Sequence, residues 1–187
     1  MSSEENQTHC HHEHHHCHCD HHQCGCQHSD LDELHHEHGF EVIFEGEIET
    51  TCHQVWNQLL QANSWIPNVV FTDQKPAGHL TYQGENLNDE YMIMDFEIEK
   101  LISFSWLEQS IVTIELDEQV NQTLIRMNIW LPEITENTLD LLKDWVINLK
   151  RLDTLLNQQE FNLFVEEEQI IHQDVEALIL NLKETEI

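Results

Sequence analysis

At Gly39 the chain changes character. Residues 1–39 hold most of the histidines and every cysteine except Cys52, with no lysine or arginine. After Met1, their only large apolar side chains are Leu31 and Leu34. So little apolar surface cannot offset the entropy lost on ordering, which predicts a segment disordered without a ligand. From Phe40 onward, apolar residues alternate with polar ones, as strands with one buried face require. Whatever core this chain builds must come from residue 40 on.

The tail's spacing carries chemistry of its own. Cys17-His18-Cys19 and Cys24-Gly25-Cys26 are two Cys-x-Cys pairs, with Cys10 upstream. Their four thiolates can wrap a tetrahedral thiophilic ion, and Gly25 permits the tight turn this needs. Around them stand His9, His11, His12, His14, His15, His16, His18, His21, His22 and His28, followed by a second cluster of His35, His36 and His38. In a metal-induced helix, His11 and His15, His12 and His16, and His18 and His22 would share faces. Thiolates suit Zn²⁺ or Cu(I) and imidazoles suit Zn²⁺, Ni²⁺ or Cu²⁺, so a transition metal is expected, zinc first, with copper or nickel as alternatives. Zinc ribbons and fingers use Cys-x₂-Cys pairs, so this is neither. The competing explanations are a neutral low-complexity tract and an expression tag. A tag would not interleave Cys, Glu and Asp with His.

Charge excludes several partners. Lys plus Arg total 7 against 36 Asp plus Glu, a formal charge of −29 that repels nucleic-acid phosphates and anionic lipid. The start, Met1-Ser2-Ser3-Glu4-Glu5, lacks the basic and apolar regions of a secretory signal, and no apolar run reaches the ~20 residues that span a bilayer. A cytoplasmic protein is expected. In a reducing compartment, clustered cysteines are metal ligands before they are disulfides.

From Phe40 the alternation predicts a first strand with Phe40, Val42, Phe44 and Ile48 inward, interrupted only by Ile43. Thr50 or Thr51 can cap a helix through Ala62 carrying Val55, Trp56, Leu59 and Leu60. A run of strands follows. Val69–Asp73 and Leu80–Glu85 flank the turn at Pro76-Ala77-Gly78. Met92, Met94, Phe96 and Ile98 then form one face of a strand. Ile102, Phe104 and Trp106 form the next, followed by Val112, Ile114 and Leu116, a polar loop at 117–121, and Ile125, Met127, Ile129 and Leu131. Closely spaced alternating strands imply an antiparallel meander with one face covered. After Pro132, Leu139, Leu142, Trp145 or Val146, Leu149, Leu152 and Leu156 recur at helical steps. This long helix is the natural cover, giving an α+β fold.

These residues resemble the START-like (SRPBCC) helix-grip superfamily, in the branch homologous to the C-terminal domain of the heat-shock-chaperone ATPase activator. The likeness spans 40–157. It rests on Val55-Trp56 with Leu59, on Trp65, on Leu101-Ile102-Ser103-Phe104-Ser105-Trp106, on Val112-Thr113-Ile114-Glu115-Leu116, on Thr123-Leu124-Ile125, and on Trp145 with Leu149 and Leu152. Thr50-Thr51 stands where that family often has Pro or Ser-Pro. The resemblance implies a curved sheet wrapped on the long C-terminal helix and a cavity between them for a small apolar ligand. The lining it implies is Phe44, Met94, Phe96, Phe104, Trp106, Ile114, Met127, Trp145 and Leu149. Alternatively, these side chains simply fill a core.

No catalytic constellation emerges, so an enzyme is not expected, although some superfamily relatives act as cyclases or hydrolases. Cys52 begins a helix, where the dipole could lower its pKa, but neighbouring His53 would not face it. His79, His172 and Arg126 are expected at the surface. Residues 158–187 form an extension with Phe161, Phe164, Ile171, Val175, Leu178 and Leu182, either a helix packed back on the domain or a partner contact, with an extended segment from Phe161 to Gln173 as the alternative. Two functions compete. One is a binding protein whose tail sequesters, delivers or senses a metal while its domain holds a ligand or docks a partner. The other is a chaperone-associated or stress-related protein with an incidental tail.

Overall fold

The structure is a computed structural model. It describes residues 39–83, 88–120 and 122–184, all within the unit that runs from Glu37 to Ile187. The tail's metal-ligand set lies outside these residues: Cys10, Cys17, Cys19, Cys24, Cys26 and the histidines from His9 to His38.

Seven strands form one antiparallel, curved sheet: β1 (Phe40–Ile48), β2 (Val69–Phe71), β3 (His79–Gln83), β4 (Asn88–Glu97), β5 (Leu101–Ser105), β6 (Ile111–Gln119) and β7 (Gln122–Leu131). Their spatial order is β1-β7-β6-β5-β4-β3-β2. Strands β2 to β7 are a meander in chain order, and β1 closes the far edge by pairing with β7 from Phe40↔Leu131 to Ile48↔Thr123. Helix α1 (Cys52–Leu60) and a 3₁₀ turn (Ala62–Ser64) fill the connection after β1. The Thr51 hydroxyl accepts from the Gln54 N–H and caps α1, as its position before an apolar stripe predicts.

The long helix α2 (Thr138–Leu156) lies over the sheet's inner face. Leu142, Trp145 and Leu152 are buried from the helix side, and Phe104, Ile114, Met127 and Ile129 from the sheet side. At its start the Thr138 hydroxyl accepts from the Thr135 N–H at 2.9 Å. At its end Gln158 adopts φ 55°, while Gln158 N–H donates to Leu155 O and Gln159 N–H to Thr154 O. This is a Schellman termination with glutamine where glycine is usual.

Three expectations are corrected. Met92, Met94 and Ile98 do not face the core: they are exposed, and β4 buries Ile93 with Tyr91 and Phe96 partly buried beside it. Ile98 lies beyond the end of β4, in the turn to β5, and for the two methionines the cause is a bulge. Ile93 pairs with Phe104 and Asp95 with Ser103, so Met94 is an extra residue that reverses the alternation. The 117–121 segment is mostly strand, since β6 continues to Gln119 and β7 begins at Gln122. Strand β2 stops at Phe71, two residues short of Asp73.

The extension becomes helix α3 (Val165–Glu184), which packs on α2 and buries Val175 and Ile179. Residues 161–164 are non-helical. No described helix is long and apolar enough to cross a membrane.

Candidate ligand-binding cleft

The nine residues expected to line one cavity separate into five groups. Phe104, Ile114 and Trp145 meet in the middle of the grip, each 1% exposed, with Phe104 and Trp145 rings 6.2 Å apart. The centre is therefore packed. Phe96 packs edge-on to Trp56 at 5.2 Å, filling space under α1. Met94 stands on the outer face, 46% exposed, and is removed from the lining by the bulge. The remaining residues fall at two openings on either side of the packed centre.

At one end, Phe44, Met127 and Leu149 line a recess of about 310 Å³ between β1, β7 and the second half of α2. Its rim carries Glu45, Glu47, Lys150 and Asp153. At the other opening a cleft of about 270 Å³ lies between α2 from Leu141 to Arg151, the segment after α1, and the chain following β5. Trp106 and Trp145 form its apolar wall with Tyr82, Ile66 and Leu141, while Asn68, Asp144, Asn148 and Arg151 supply polar groups.

Aromatic packing makes the wall rigid. Trp106 lies 5.4 Å from Trp145 and 4.8 Å from Tyr91, and Trp65 lies 6.2 Å from Trp145. Trp65 is anchored by its own Nε1–H, which donates to Leu59 O at 3.1 Å. Burial, with Asp89 and Tyr82 nearby, pushes the Tyr91 hydroxyl up to about 12. Trp145 differs. Its Nε1 is buried and has no hydrogen-bond partner. A buried indole N–H ordinarily finds an acceptor, and leaving one unmade costs about 1–3 kcal/mol.

The polar side is shaped by α2. Asp144 and Asn148 are one turn apart, and Arg151 is one turn further at i+3. Arg151 Nη1 donates to Trp65 O at 3.0 Å and to Asn148 Oδ1 at 3.1 Å, and its guanidinium sits 4.7 Å over the Phe161 ring. Burial pulls its pKa below the ordinary range. Partial desolvation, helped by Asp140 and Glu168 and opposed by Lys143, raises the Asp144 carboxyl although the residue as a whole is exposed. Sequence reasoning missed Asp144, Asn148 and Arg151 because they lie off the apolar stripe. The signal available was that Arg151 is one of few cations in an acidic chain.

Among the described residues no nucleophile–base pair forms. Cys52 is buried, and desolvation is the main cause that raises its thiol, overriding the lowering expected from a helix start. His53 points away, bonding Glu99 at 2.6 Å and Asn57 at 2.9 Å. His79 and His172 are exposed, and Arg126 pairs outward with Glu45 at 2.6 Å. Among the described residues no group of three or more His, Cys, Asp or Glu could hold a metal.

No family profile and no curated relative matches this sequence. Solved structures do match. A conserved protein of unknown function from Enterococcus faecalis superposes with TM-score 0.67 at 19% identity, covering 77% of this chain and 86% of its own. CalU16 from Micromonospora echinospora gives TM-score 0.60 at 19% identity over 77% of this chain and 88% of that one. The Aha1 dimer from Colwellia psychrerythraea gives 0.53 at 13% identity over 63% of this chain and 96% of that one. Identity at this level speaks to architecture, and together with the curved sheet gripping α2 it establishes that residues 40–156 adopt the helix-grip fold.

Proposed function

We propose that this chain is a non-enzymatic, cytoplasmic binding protein. Its helix-grip domain holds a small amphipathic molecule in the cleft beside Trp106 and Trp145, and its tail holds a transition metal. The observation that carries the domain's role is the cleft itself, where Trp106, Tyr82 and Ile66 form an apolar wall and Asn68, Asn148 and Arg151 supply polar groups. Such a site suits a ligand with an apolar body and at least one hydrogen-bond acceptor. In the tail, Cys17, Cys19, Cys24 and Cys26 would supply a thiolate set and the flanking histidines an imidazole set, a donor chemistry that fits zinc first, then copper or nickel.

Titration of the full chain with a neutral apolar fluorophore tests the cleft. One-site saturation, weakened by Trp106→Ala, is expected; a titration that never saturates would overturn the reading. Elemental analysis of untagged protein tests the tail, with at least one transition-metal ion per chain expected and a metal-free protein fatal to it. A second reading, a docking module for a chaperone, is favoured by the packed centre of the grip, which limits ligand space to the two ends.

A further inference from the structure

The cleft contains a charge that the rest of the chain does not neutralise. With 36 acids to 7 bases, a cation here rarely lacks a partner. Lys75, Lys100, Arg126, Lys143 and Lys150 each hold a carboxylate, at 2.9, 2.6, 2.6, 3.2 and 2.6 Å. Among the described residues only Arg151 and the exposed Lys183 do not. Arg151 is also the only cation on the cleft wall. Its contacts all use Nη1 or the ring face, so Nε and Nη2 have no acceptor among the described residues. Trp65 O, Asn148 and Phe161 fix the plane of the guanidinium while leaving that edge unused. A part-buried guanidinium held this way is costly unless something pairs with it.

We infer that the cleft recognises a carboxylate-bearing aromatic or alicyclic molecule. The carboxylate takes the open edge of Arg151, and the body lies against Trp106 and Tyr82. The inference rests on the small-ligand reading above and names its chemical class. Two parallel N–H donors in one plane match a planar carboxylate. A single cation beside Asp144, in a chain of charge −29, is poorly matched to a phosphate dianion.

A matched pair of probes, 2-naphthoate and 2-naphthamide, titrated calorimetrically into the full chain, decides it. Naphthoate should bind about tenfold tighter or better, the value of one charge-assisted hydrogen bond. Arg151→Gln should erase that preference while leaving naphthamide where it was. Asp144→Asn, which removes a like charge without touching Arg151, should tighten naphthoate severalfold and leave naphthamide unmoved. Equal affinities in the wild type, or a preference that survives Arg151→Gln, would overturn the carboxylate assignment and leave the cleft reading intact. If Arg151→Gln does not fold, unchanged naphthoate affinity in Asp144→Asn overturns the assignment instead. Saturation by neither probe would end both.

Discussion

Gly78 and Gly46 are alike in sequence and opposite in consequence. A Cβ at Gly78 would sit 1.9 Å from Asp73 O and 2.8 Å from Lys75 O, backbone atoms that cannot swing aside. A Cβ at Gly46 would meet only Ile125 Cγ2 at 3.8 Å, an ordinary contact. Gly78→Ala should therefore cost about 2 kcal/mol or more, whereas Gly46→Ala should stay within about 0.5 kcal/mol, both read from urea unfolding. A neutral Gly78→Ala would show that the 73–78 turn reorganises freely. Asp144 gives a second test at this scale. Its folded pKa is raised, so its ionisation opposes folding. That cost is absent below the unfolded value near 3.9 and grows as pH rises through the folded one. Asp144→Asn should stabilise the domain at pH 7, with the gain vanishing toward pH 3. A gain that persists in acid would mean the effect is not ionisation.

Two elements carry features that decide what faces the core. In β4, removing Met94 would leave Ile93, Asp95 and Phe96 in plain in–out–in alternation against Phe104, Ser103 and Ile102. Deleting Met94 should preserve a cooperative unfolding transition, while Ile93→Asp, which places a charge at a fully buried position, should abolish it. Loss of cooperativity on removing Met94 would show that the bulge's extra twist is itself required. In α2, Trp145 combines a large buried ring with an unsatisfied N–H. Trp145→Ala should cost about 3–5 kcal/mol from the cavity it leaves. Trp145→Phe should cost far less, because losing part of the ring is offset by removing a buried donor without a partner. Similar losses for both substitutions would mean that Nε1 is satisfied by solvent.

For the whole molecule, the proposed function assigns metal binding to the residues before Phe40 and ligand binding to those after it. Strand β1 pairs with β7 along its full length and contributes Val42 and Ile48 to the core. Deleting residues 1–38 should leave the thermal melt nearly unchanged while abolishing bound transition metal. Deleting through Ile48 should unfold the domain. Metal retained after the first deletion would move the metal site out of the tail.

What the sequence by itself determined was the order of elements from Phe40 on and the side of α1 that is buried. Each follows from local periodicity and turn chemistry, which neighbouring residues carry between them. Alternation placed Val42, Phe104, Ile114 and Met127 inward correctly. It failed at β4, because a single extra residue has no compositional mark and shows only against the partner strand. The candidate site was half legible for a related reason. Trp106 and Trp145 announced themselves as large apolar residues on predicted inner faces. Only tertiary structure decided that the middle of the grip is packed and that space remains at its ends. It alone placed Arg151 beside Trp65 O, 86 residues away in sequence. The cause is physical: whether a volume is filled, and whether a charge is paired, depends on which distant side chains arrive there.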